Sequence, residues 1–134
     1  MITRLEAYNY RCFRDLSIDL GRFHVLAGAN GSGKTTLLDI PVLIGDMLRT
    51  RRGIAEAFLW REDGRQPRAS DLRELLNCGT GDDIVFVVEA RLPGDIEDRL
   101  AEVSASSSAT PPPTHVRYEI RLELFNDQLR VAEE

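Results

Sequence analysis

The run Gly28-Ala29-Asn30-Gly31-Ser32-Gly33-Lys34-Thr35 constrains this chain more than any other feature. It follows a short apolar stretch, Phe23 to Ala27, which reads as a strand. It precedes a segment from Thr35 to Leu48 in which Leu37, Leu38, Ile40, Leu43, Ile44, Met47 and Leu48 recur at the spacing of a buried helix. Strand, glycine loop and helix form the context in which the pattern G-x-x-x-x-G-K-[ST] cradles phosphate. Glycines let the backbone curl until successive N–H groups point inward, and the helix start adds a partial charge of roughly +0.5. A bare glycine-rich turn before a helix is the alternative, and the flanking elements weigh against it.

The roles follow from the chemistry of each residue. Gly28 opens the loop and Asn30 shapes its turn, while Gly31, Ser32, Gly33 and Thr36 offer backbone amides to phosphate oxygens. Lys34 is the catalytic candidate, with its ammonium against the β- and γ-phosphates, and Thr35 is the candidate metal ligand through its hydroxyl. Of the 17 basic residues, Lys34 is the single lysine and the rest are arginine. A compact ammonium on a flexible stem suits the slot between two phosphates better than a planar guanidinium. The cofactors expected are ATP and Mg²⁺; GTP is disfavoured because guanine selection uses an Asn/Thr-Lys-x-Asp element and Lys34 is the only lysine.

Upstream, Ile2 to Tyr10 and Phe13 to Leu20 read as two strands of an antiparallel hairpin. Pro41 lies inside the helix after the loop, where it removes a backbone hydrogen bond, so a kink or break is expected there. Ile54 to Trp60 and Ser70 to Asn77 read as helical, with Ser70 as N-cap and Gly79 past the end. Gly64 to Pro67 reads as a turn and Ser104 to Thr114 as a flexible loop. Strands are expected at Ile84 to Arg91 and His115 to Phe125, a short helix at Asp95 to Val103, and a tight Asn126-Asp127 turn into Gln128 to Val131.

Composition excludes several classes. The 134 residues suffice for one domain, and 43% hydrophobic content is ordinary for a folded one. No apolar run approaches the ~20 residues of a membrane span, and the N-terminus lacks a signal peptide's stretch, so a cytoplasmic protein is expected. Cys12 and Cys78 show no ligand spacing and are expected as reduced packing residues, and His24 and His115 offer no metal geometry. A net charge of −5 disfavours nucleic acid as a direct partner, although Arg49, Arg51 and Arg52 form a local basic cluster.

The wording Asn30-Gly-Ser-Gly-Lys-Thr-Thr followed by Leu37-Leu-Asp resembles the ABC-type ATPases. Tyr10-Arg-Cys-Phe-Arg-Asp-Leu16, then a strand and Val25-Leu-Ala-Gly28, is similar to the RecF and structural-maintenance-of-chromosomes (SMC) branch, near the overcoming-lysogenization-defect ATPases. The resemblance covers residues 1 to about 48. It implies an α/β fold: a P-loop NTPase N-terminal lobe with a mixed sheet, a Walker A helix and an antiparallel β-subdomain. It divides the chain into strands, loop and helix over 1–50, a helical segment over 51–82 and antiparallel strands over 83–134. It also implies that Arg11 approaches the bound nucleotide. Tyr8 and Tyr10, aromatics upstream of the loop, are expected to pack in the sheet rather than on adenine.

The resemblance further implies partners: ATP, a second ATPase head, the rest of the same head, an effector protein, and DNA for the full assembly, with no membrane. A Q-loop glutamine, a signature helix and a Walker B strand ending in Asp-Glu are not found. Ile84 to Glu89 comes nearest to Walker B, but Val88 stands where the Asp is required, and Gln66 and Gln128 read as loop and hairpin residues. The expectation is an ATP-binding lobe that hydrolyses only within a complete head dimer, in DNA repair, DNA maintenance or phage defence. The alternative is a non-hydrolysing, nucleotide-bound module that holds an effector such as a nuclease.

Overall fold

The computed structural model describes residues 1–51, 53–60, 66–105 and 112–134, the side chain of residue 105 excepted. A five-stranded sheet organises them. Strand β1 (Ile2–Tyr10) turns back into β2 (Phe13–Asp19), and β3 (Asp83–Arg91), β4 (His115–Phe125) and β5 (Gln128–Glu133) follow after the loop and helix. The spatial order is β2-β1-β3-β4-β5, with every pairing antiparallel. The first and last thirds of the chain therefore share one sheet, joined where Leu5 faces Val88 and Ala7 faces Phe86.

Alternation along the strands decides what each face does. Leu5 and Ala7 of β1, Ile84 and Phe86 of β3, and Ile120 and Leu122 of β4 point into the core. Tyr10 is buried there too, its ring edge-on to Phe86 at 4.8 Å. On the opposite face Arg4, Glu6, Glu89, Arg117 and Glu119 form a lattice of ion pairs. Glu6 at its centre is buried, receiving bonds from Arg4 Nε and the Tyr8 hydroxyl. Val87, which pairs with Glu6 and Glu119 on this face, is 1% exposed.

Helix α1 (Lys34–Arg49) contributes Ile40, Leu43, Ile44 and Met47 to the same core. It continues through Pro41 without a break: packing of the flanking Ile40, Leu43 and Ile44 offsets the missing hydrogen bond. Helix α2 is a single turn, Glu56–Leu59, shorter than the expected Ile54 to Trp60, and places Phe58 in the core. The third helix, α3 (Gly94–Ala105), follows β3. The expected helix at Ser70 to Asn77 is instead two 3-10 turns, Leu72–Leu75 and Asn77–Gly79. Its cap is Asp71, whose carboxylate accepts from Arg73 N–H at 2.7 Å, while Ser70 bonds to Glu74. The reason is tertiary. Leu76 forms an isolated bridge with Tyr10, and Leu75 O accepts from Arg11 N–H at 2.7 Å, which draws the chain into extended geometry before an α-helix can propagate.

The strand expected at Phe23 to Ala27 is absent from the sheet. An extended segment becomes a strand only beside a hydrogen-bonding neighbour, and among the described residues none lies alongside it. Phe23 is 83% and Val25 75% exposed. The mixed sheet expected for the lobe is consequently antiparallel throughout. The tight turn at Asn126 and Asp127 does form, with φ of 50° and 58°, as a two-residue hairpin of this twist requires. Residues 64 and 65 of the expected 64–67 turn, residues 106–111 of the expected 104–114 loop, and Arg52 of the basic cluster lie outside the described residues.

Candidate nucleotide-binding site

The glycine loop leads directly into α1, and its last glycine is the helix cap. Gly33 sits in the left-handed region at φ 89°, and no side chain caps the helix start. The first helical carbonyl bond is Leu37 N–H to Gly33 O at 2.8 Å, so the amides of Lys34, Thr35 and Thr36 have no carbonyl partner within the helix. Uncapped amides, all aimed along the helix axis, make an anion site. Gly31 is also left-handed, at φ 81°, with open space around its Cα. Ser32 N–H bonds weakly to Ala29 O at 3.3 Å and closes the turn.

Lys34 folds back over the loop it terminates. Its ammonium donates to Gly28 O at 2.8 Å, Ala29 O at 2.7 Å and Ser32 Oγ at 3.2 Å. Three acceptors for three donors hold the charge across the loop's mouth, where an arriving phosphate would compete with neutral carbonyls for it. Thr35 is exposed, one residue beyond. Glycines in the curled loop, uncapped amides, a tethered ammonium and a free-standing threonine fit a magnesium-bound triphosphate. The described residues contain no cluster of acids, cysteines and histidines suited to holding a metal without such a ligand.

The β1–β2 turn backs this loop. A Cβ placed on Gly33 would lie 2.7 Å from Cys12 Sγ and 3.0 Å from Phe13 Cζ. Nothing but glycine fits there without displacing the turn. Both cysteines are free thiols, and both are exposed rather than the expected packing residues, because Cys12 lies at the tip of the hairpin and Cys78 in a 3-10 turn at φ 53°. The contact of Cys12 with Gly33 is one that sequence reasoning missed.

Arg11 is adjacent to these contacts, but its guanidinium donates to Arg68 O. Its own carbonyl accepts from Asn77 Nδ2 at 2.6 Å, and it lines a shallow hollow with Asp71, Glu74 and Cys78. Arg68 is the second residue that the sequence left unmarked. It is 5% exposed, with Nε 2.6 Å from Asp39 Oδ2, Nη1 2.8 Å from Asp46 Oδ2 and Nη1 donating to Ala57 O at 2.6 Å. Burial works to lower its pKa, but the hydrogen bonds to Asp39 and Asp46 outweigh it and the net shift is upward, so the guanidinium stays charged. The available signal was Asp39 and Asp46 themselves, two acids on one face of an otherwise apolar helix.

The other sequence candidates take structural places. Tyr10 packs in the core, and Tyr8 bonds to Glu6. Glu89, the end of the nearest Walker B candidate, pairs with Arg117 across β3 and β4. His24 accepts from Gly21 N–H in an exposed loop, and His115 begins β4 beside Thr114.

Residues 4–43 match the AAA domain family. An OLD nuclease from Thermus scotoductus is 42% identical over 48 residues, which is 35% of this chain but 9% of that protein. The chain thus spans under a tenth of its curated relative's length. A solved chain from work on ATP-driven dimerization and DNA-stimulated activation of SMC ATPases superposes with a TM-score of 0.53 at 18% identity, covering 98% of this chain and 69% of the other. No helix among the described residues is long and apolar enough to cross a membrane.

Proposed function

We propose that this P-loop chain, similar to ABC-type ATPases of the RecF and SMC-like branch, is an N-terminal head lobe that binds ATP with magnesium through Gly28 to Thr36. The observation that carries the reading is the uncapped start of α1 at Gly33, followed at once by Lys34 and Thr35. Bound Mg²⁺ would neutralise charge on the β- and γ-phosphates and orient them. The chain's own part is narrower. Amides from Gly31 to Thr36 hold phosphate oxygens, Lys34 supplies the compact positive charge, Thr35 offers its hydroxyl to the metal, and Arg11 approaches the nucleotide from the β1–β2 turn.

Hydrolysis belongs to a larger assembly in this reading, since the sequence carries neither a Walker B strand ending in Asp-Glu nor a signature helix. Phe23 and Val25 before the loop, and Leu38 and Leu48 on α1, are large apolar side chains exposed to solvent. The rest of the head would cover them, and the matched SMC chain extends beyond the portion that this chain covers. Work on DNA, in repair, maintenance or phage defence, is the role we assign to that assembly. A second reading rests on the name of the OLD nuclease: the lobe keeps ATP bound and holds a nuclease effector. Slow exchange of bound nucleotide without turnover would favour it.

Fluorescent ATP and GTP titrated in magnesium against the wild-type chain and Lys34→Ala test the reading, with phosphate release followed in the same samples. The expected result is ATP binding that Lys34→Ala weakens at least about tenfold, equivalent to the loss of roughly 1.4 kcal/mol, without turnover. Binding unaffected by Lys34→Ala would remove the loop from the site.

A further inference from the structure

Arg68 lies outside the glycine loop, yet it joins the two elements that flank it. Its side chain bridges Asp39 and Asp46, which are two helical turns apart on α1, and its backbone carbonyl receives the guanidinium of Arg11 from the β1–β2 turn. Asp39 follows Thr35 by one turn on the same face of the helix. The face gripped by Arg68 is therefore the one whose first turn carries the threonine hydroxyl. At the other end Gly33 rests against Cys12 and Phe13 of the same β1–β2 turn. The turn thus meets α1 twice, once directly at the cap and once through Arg68.

A buried guanidinium is a costly way to fill space, because an apolar side chain of similar volume packs as well or better. What the charge adds is direction. Four hydrogen-bonding contacts from one planar group, two to Asp39 and one each to Asp46 and Ala57 O, define both the rotation of α1 about its axis and its height against α2. An apolar contact would allow the helix to roll or slide.

We propose that Arg68 is a positioning residue of the nucleotide site, which sets Lys34 and Thr35 of α1 in register with the β1–β2 turn through Asp39 and Asp46. This rests on the nucleotide reading above. Arg68 touches no phosphate in it; it acts through the helix. The same grip makes the turn and α1 respond together, so displacement of Arg11 from the Arg68 carbonyl is felt at Thr35.

The test compares Arg68→Met, which keeps the length and removes the charge, with Arg68→Lys and with Arg4→Met. The last strips the partner from buried Glu6 on the far face of the sheet and serves as a control for general destabilisation. Each variant is measured for fluorescent ATP·Mg affinity, thermal melting and amide hydrogen exchange. Expected for Arg68→Met is an affinity loss of about tenfold or more, with faster exchange at residues 34–37 and 11 but not in β3. Arg68→Lys should restore part of the affinity, while Arg4→Met lowers the melting temperature without changing affinity. Arg68→Met binding as tightly as Arg4→Met, with unchanged exchange at 34–37, overturns the proposal. Absence of binding by the wild-type chain itself overturns the nucleotide reading and this role with it, and it is recognised because every sample is then silent.

Discussion

Gly33 shows how much one residue type can decide. It needs a left-handed φ of 89°, and it needs the volume of a Cβ to be empty because Cys12 Sγ and the Phe13 ring occupy it. Gly31 needs only the first of these, its φ being 81° in open space. Alanine at Gly31 should therefore cost about 1–2 kcal/mol of stability, the strain of a left-handed L-residue. Alanine at Gly33 should cost more, and should weaken ATP binding at least about tenfold because the turn or the cap must shift. Urea unfolding and nucleotide titration of the two variants check this, and equal stability costs would mean that the β1–β2 turn does not buttress the loop. The glycine turn leading into α1 was legible in the sequence, since its signal is local, whereas the strand expected before it was not formed. Arg68 was not legible: its partners lie 29 residues away at Asp39, and in a chain with sixteen arginines nothing marks one of them as buried.

Elements were legible where the pattern was long. The strand His115–Phe125 alternates over its whole length and was found with its exact bounds, and so was β1, while β2 ends one residue before the expected Leu20. Short elements were not, because Leu72, Leu75 and Leu76 fit a 3-10 turn as well as an α-helix, and only the pull of Tyr10 and Arg11 decides between them. The outer face of the sheet carries its own prediction. Glu6 has its pKa lowered, first by its hydrogen bond from Arg4 and further by Tyr8, against an opposing effect of burial. A carboxyl with a lowered folded value contributes stability that is complete above the unfolded value, near 4.3, and is lost as pH falls through the folded one. The melting temperature should therefore drop as acid is added below about pH 4. Glu6→Gln should start lower at neutral pH and show a shallower drop over that range, and parallel profiles for the two proteins would show that the ion-pair lattice does not contribute.

At the scale of the whole molecule the surface of the lobe is not uniform. The sheet's outer face carries paired charges, whereas Phe23 and Val25 before the glycine loop and Leu38 and Leu48 on α1 present apolar groups to solvent. Surfaces of that kind mark interfaces or aggregation sites. Phe23→Asp with Val25→Thr should reduce light scattering and hydrophobic-dye binding of the isolated chain while changing its stability by no more than about 0.5 kcal/mol. A large fall in stability would mean that the segment packs within the lobe. Sequence patterning identified this stretch as apolar and extended, but a pattern cannot count neighbours, and the strand needs one that these residues do not supply.

The pairing of β1 with β3 also bears on how the molecule is made. Leu5 meets Val88 and Ala7 meets Phe86 only after everything between Leu20 and Asp82, the glycine loop included, has been synthesised. On the ribosome the glycine loop thus emerges before the centre of the sheet can close, and β1 and β2 must wait as a bare two-stranded ribbon, which is marginal alone in water. Closing that excursion is the long-range step that should set the refolding rate, so substitutions at the β1–β3 seam belong to the kinetics of folding as much as to the stability of the finished lobe.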